Sequence, residues 1–144
     1  MAQLLERMEF AEKAIVLLKK LQLKTHLVEN LIALNSIAIK LGDELLEVNA
    51  HEKALDAYWA VRPRDVVAKM QRERIAAIEL RIDQNMKAAG KDPIALSRAI
   101  RINDEMIKPR LEEAKKILAQ FEKLPDFMPS LYFRMARCFA DMDK

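Results

Sequence analysis

Apolar positions recur at helical intervals along most of the chain. Leu4, Met8, Ala11, Ile15 and Leu18 are spaced 4, 3, 4 and 3 residues apart, which predicts an amphipathic helix over residues 2–21 with one buried stripe. Thr25 stands where it would cap a second helix, over residues 27–41. Its only charged residues, Glu29 and Lys40, fall in one narrow sector, so this helix is expected at the centre of the fold. Gly42 followed by Asp43 reads as a helix stop and a new N-cap, starting a third helix that Pro63 ends near residue 61. Asp65 is expected to cap a fourth helix over residues 65–89, with Val67, Met70, Ile75, Ile78, Ile82 and Met86 on its apolar side. Gly90-Lys91-Asp92-Pro93 combines a glycine past a helix end, an aspartate N-cap and a proline at the next first position, the signature of a helical hairpin. From Leu96 through Ile100, Asn103, Ile107, Leu111, Ala114 and Leu118 to Phe121, steps of three and four continue across Pro109. They predict one kinked helix over residues 93–123. Pro125 and Pro129 bracket a loop, and a last helix is expected over residues 130–142.

Composition narrows the class. A chain of 144 residues and 16.6 kDa suits a single all-helical domain, residues 1–144. The expected fold is all-α, with about six helices in an irregular antiparallel bundle or a short α-solenoid. Hydrophobic residues at 51% and charged residues at 33% belong to a folded globular protein. Only two glycines occur, where average usage would give about ten, and this argues against hairpin-rich, P-loop and Rossmann folds. The longest stretch without a charge, residues 30–39, is about half the length of a membrane-spanning helix. Glu6 and Arg7 interrupt the place where a signal peptide would be apolar, and the single cysteine suits a reducing compartment, so a cytoplasmic location is expected.

The end of the chain carries a recognisable pattern. Ala114, Leu118 and Phe121 stand at small, large and small packing positions, a proline turn follows, and Tyr132, Met135, Ala136 and Phe139 continue the series. Over residues 111–139 this resembles a tetratricopeptide repeat, and a second partial match surrounds Leu34, Ile37, Ala38 and Leu41. The resemblance implies a helical scaffold that binds protein partners.

Candidate chemistry is sparse. His26 with Glu29, and Glu47 with His51, put imidazole and carboxylate on one helical face, but neither pair completes a ligand set or an acid–base constellation. No metal, cofactor or catalytic residue is therefore expected. Arg134 and Arg137 near Cys138 would favour a thiolate, whereas Leu131, Met135 and Met142 around it favour a buried thiol. Residues 43–56 carry a net charge of −4 and residues 62–74 a net +3, so the blocks either satisfy one another across Pro63 or face a partner. In the second case Arg62, Arg64, Lys69, Arg72 and Arg74, with Trp59 and Tyr58 nearby, form a phosphate-binding stretch able to stack a base. The overall charge of +3 is too small to imply nucleic acid by itself. Eight methionines suit either core packing or an adaptable apolar groove.

The last helix stands out. Leu131, Met135, Cys138 and Met142 form one stripe, Tyr132, Ala136 and Phe139 a second beside it, and Phe133 and Ala140 extend the apolar arc to about 220°. An ordinary surface helix needs little more than about 100°, so a neighbour is expected on each of two sides. The helix ending near residue 123 would supply one. The N-terminal helices, a second copy or a partner would supply the other. Tyr132, Phe133, Met135, Phe139 and Met142 are thus the expected partner-binding residues. The leading functional reading is a non-enzymatic scaffold that binds a protein partner or self-associates. A nucleic-acid-binding module is second and a small helical enzyme third.

Overall fold

A computed structural model describes residues 2–25 and 27–143, apart from the side chains of residues 2, 4, 24 and 25. Helix is the regular structure of the described residues, with no strand among them. None of the helices is long and apolar enough to cross a membrane. Two compact units divide the chain: Met1–Pro63 with Pro125–Lys144, and Arg64–Leu124.

The first unit contains α1 (Ala2–Thr25), α2 (Val28–Glu47), α3 (His51–Trp59) and α7 (Met128–Met142). The stripe expected on α1 is its buried side: Met8 and Ile15 enter the core, and Ala11 and Leu18 pack at its edge. Leu4, whose side chain is not described, is the one member left untraced. Helix α2 lies between α1 and α3, as its sparse charge implied, and contributes Leu34, Ala38, Leu41 and Leu45 to the same core. Each of these leucines adds about 1.5–3 kcal/mol when withdrawn from water.

Three of the boundaries that differ from the sequence reading lie at the two ends of α2 and the start of α7. Leu27, not Thr25, occupies the cap position of α2, and its side chain makes no capping bond. Gly42 does not stop α2, which runs on to Glu47; the turn falls at Val48–Ala50, where Asn49 adopts the left-handed conformation at φ 61°. The physical reason is Tyr58. A Cβ on Gly42 would stand 2.3 Å from Tyr58 Cε1, so the glycine makes room for a ring rather than for a turn. Asp43, continuing the helix, is then not an N-cap. The third boundary is the start of α7, where Pro129 lies inside the first turn instead of in the preceding loop.

The second unit is a helical hairpin built from α4 (Arg64–Ala89), α5 (Pro93–Ile102), a π-helical turn (Asn103–Ile107) and α6 (Lys108–Lys123). Asp65 sits in the first turn of α4, not before it, as an acidic group well placed against the helix dipole. The hairpin turn follows the sequence signature: Gly90 has φ +61°, Asp92 accepts a hydrogen bond from the Ile94 N–H at 3.1 Å, and Pro93 opens α5. The path across Pro109 is continuous, and its irregularity is the π turn. Lys108 N–H reaches back five residues to Asn103 O, which widens the helix just before the ring that lacks an N–H. Buried positions accordingly fall at Ala99, Asn103, Ile107 and Leu111, in steps of four, while Ile100 turns outward. Buried amides brace the hairpin: Gln71 Nε2 donates to Ala114 O at 2.9 Å, and Asn103 Nδ2 to Ile82 O at 3.3 Å.

Replacing Gly42 by alanine is expected to destabilise the protein by about 1–3 kcal/mol, although alanine in a helix interior ordinarily gains about 1 kcal/mol over glycine. Urea unfolding of Gly42→Ala measures it. An unchanged or raised midpoint would contradict the assignment of Gly42 to the Tyr58 contact.

Candidate functional site

Helix α7 meets the first unit on two different sides. Its apolar side, Leu131, Met135 and Cys138, packs against α3 and into the shared core. Cys138 Sγ donates to His51 O at 3.2 Å, and His51 Nε2 lies 3.8 Å from Asp141 Oδ2. Burial pushes the Cys138 thiol up, and the Asp141 carboxylate adds to it, so the effect expected from Arg134 and Arg137 is outweighed and the sulfur is a packed thiol.

The polar side of α7 meets α2. Arg134 Nε donates to Asp43 Oδ1 at 2.9 Å, and Tyr58 Oη donates to the same oxygen at 2.6 Å. Arg134 also donates to Ser130 Oγ. One carboxylate oxygen thus collects a guanidinium and a phenol from two other helices, and charge strengthens both bonds. Beside it lies a cleft of about 410 Å³ lined by Leu46, Glu47, Phe133 and Arg137 as well. Sequence reasoning passed over this cluster. In the sequence Asp43 reads as a cap, and nothing in the spacing of Asp43, Tyr58 and Arg134 marks them as neighbours.

The third side of α7 is open. Tyr132 is 62% exposed, Phe133 71% and Phe139 51%, and Met142, at the end of the anchored stripe, is 41% exposed. Of the expected partner-binding set, only Met135 is withdrawn, at 6% exposure beneath the others. The second apolar stripe of the sequence therefore exists as a surface of aromatic side chains on one exposed helix. Helix α3 supplies the apolar neighbour of the first stripe.

The phosphate-binding candidates have other engagements. Arg62 belongs to the first unit, where its backbone N–H and C=O are held by Asn35 at 2.8 and 3.0 Å and its Nε is buried without a hydrogen bond. The remaining four stand on α4. There Arg64 bonds Leu124 O at 2.8 Å, Arg72 pairs with Glu122 at 3.1 Å and Arg74 donates to Gln71 Oε1 at 3.1 Å, while Lys69 is exposed. Among the described residues no group of three or more His, Cys, Asp or Glu could hold a metal ion. His26, one of the imidazole candidates, lies outside them, and Glu47 is exposed on α2. Compared with protein-family models, curated proteins and solved structures, the chain matches none.

Burial, and then the Asp43 hydrogen bond, raise the Tyr58 phenol above its ordinary value near 10. The folded protein holds that proton where the unfolded chain releases it. The resulting stability is complete below about pH 10 and declines as pH rises beyond it. Denaturant titrations from pH 8 upward should show a steeper loss for the parent protein than for Tyr58→Phe, and parallel curves would contradict this.

Proposed function

We propose that the chain is a non-enzymatic helical interaction module that binds a protein partner through the open side of α7. The carrying observation is the exposure of Tyr132, Phe133 and Phe139 on a helix whose adjoining stripe is anchored by Leu131, Met135 and Cys138. Aromatic side chains combine large apolar area with few rotatable bonds, and a rigid helix presents them with little ordering left to do on binding. Arg137 and Glu47 at the adjoining cleft offer a polar rim. Within the first unit the helices neighbour one another in the order α1, α2, α3 and α7, which favours a short stacked array over a closed bundle for that unit. A tetratricopeptide-like scaffold in the cytoplasm remains the form we propose for it.

Nucleic-acid binding ranks lower because Arg64, Arg72 and Arg74 already have intramolecular partners. The proposal is tested by purifying the tagged chain from its native cells at low and high salt and identifying what accompanies it. A protein partner retained at high salt with the parent chain, and lost with a folded Tyr132→Glu/Phe139→Glu variant, is the expected result. Nucleic acid recovered only at low salt, or a partner indifferent to the double substitution, would overturn it.

A further inference from the structure

Helix α1 carries two apolar seams, one residue out of step. Met8, Ala11, Ile15 and Leu18 face the core, whereas Arg7, Phe10, Ala14, Leu17 and Leu21 repeat the same alternation of three and four along the neighbouring sector. On this second seam Phe10 is 75% exposed, Leu17 61% and Leu21 43%. The seam borders a cleft of about 790 Å³ between α1 and α2, floored by Ala14, Ile37 and Leu41. Steps averaging 3.5 residues let a second helix follow this seam along its length, as the core follows the first seam.

The charged flank of the seam says what the second helix is. Glu6, Lys13 and Lys20 follow one another at intervals of seven residues, all exposed. They occupy the position just before each of Arg7, Ala14 and Leu21. If a copy of α1 lies antiparallel with its two-fold axis near residue 13, Glu6 faces Lys20 of the second copy twice and Lys13 faces its equivalent once. The seam layer of the same antiparallel pair is centred one residue earlier, on residue 12, and sets the large Phe10 opposite the small Ala14 of the second copy, again twice. A parallel pair lacks this match, because the flank on the α2 side offers Ala11 and Leu18 instead of opposite charge.

We propose that the chain forms a two-fold dimer by antiparallel packing of α1 against α1 of a second copy, with Phe10 seated over Ala14 and Glu6 facing Lys20. The dimer rests on the reading of the chain as an interaction module, but it uses a different helix, so α7 and α1 can fail separately. The seam over residues 7–21 is little more than two heptads long, and for so short a seam the expected dissociation constant is in the micromolar range.

Sedimentation equilibrium of the full chain from low to high micromolar concentration tests the proposal. The parent protein and Tyr132→Glu/Phe139→Glu should both dimerise, and Phe10→Lys/Leu17→Lys, with unchanged circular dichroism, should remain monomeric. Glu6→Lys and Lys20→Glu should each weaken the dimer by about tenfold, since each turns two attractive pairs into repulsive ones. An equimolar mixture of those two variants should recover association as a heterodimer, because both pairs between positions 6 and 20 are then opposite in sign while the Lys13 pair is unchanged. A monomeric parent protein, a dimer that survives Phe10→Lys/Leu17→Lys, or a mixture no tighter than its components would overturn the antiparallel α1 dimer.

Discussion

The Tyr58 ring rests on α2 at Gly42, closer than any side chain there would allow, and the first unit is organised around that contact. It brings α3 down onto α2 and carries the Tyr58 hydroxyl to Asp43, one residue along. Asp43 is thereby held where Arg134 can reach it from α7. A steric allowance at one position thus leads to a polar junction among three helices, and the apolar stripe of α7 is seated on α3 beside it. Tyr58 is fully buried in the core that these helices share, so ring packing and hydroxyl bonding act through the same side chain.

In the second unit the governing constraint is Pro109. A proline inside a helix removes one hydrogen bond and crowds the preceding turn. The chain accommodates it by widening to a π turn over Asn103–Ile107, and the helix axis continues. Asn103, which begins the wide turn, is buried and donates to Ile82 O while accepting from Asn85 Nδ2 at 3.0 Å. The irregular turn is therefore tied to α4 by hydrogen bonds rather than left exposed, with its buried polar groups paired. The Ile75, Leu111 and Ala114 cluster supplies the apolar packing of the same hairpin.

What is apolar and still exposed in the first unit follows from how few neighbours each helix has. Helix α1 meets α2, and α7 is anchored by α3, yet both helices are apolar through wider arcs than one neighbour can cover. The surplus appears as Phe10 and Leu17 on α1 and as Tyr132, Phe133 and Phe139 on α7. Surfaces of this kind associate because water is released from them, and the charges beside them decide with what and in which orientation.

Local pattern was enough for the all-helical class, the buried stripe of α1, the central place of α2, the hairpin at Gly90–Pro93 and the unbroken path through Pro109. Each of these depends on spacing, capping residues or proline chemistry within a few residues of chain. Pattern also separated the two stripes of α7, although it could not say that Met135 lies under the aromatic ones instead of among them. The role of Gly42 was beyond it, because a glycine that opens a helix end and a glycine that admits a ring look alike until the distant ring is placed. The same holds for Asp43, which is a credible cap in isolation and a partner of Tyr58 and Arg134 only once 15 and 91 residues of separation have been closed. Arg64 and Arg72 read as free positive charge along the chain, and tertiary packing alone supplied Leu124 and Glu122 as their partners, whereas Arg74 finds Gln71 one turn back on its own helix.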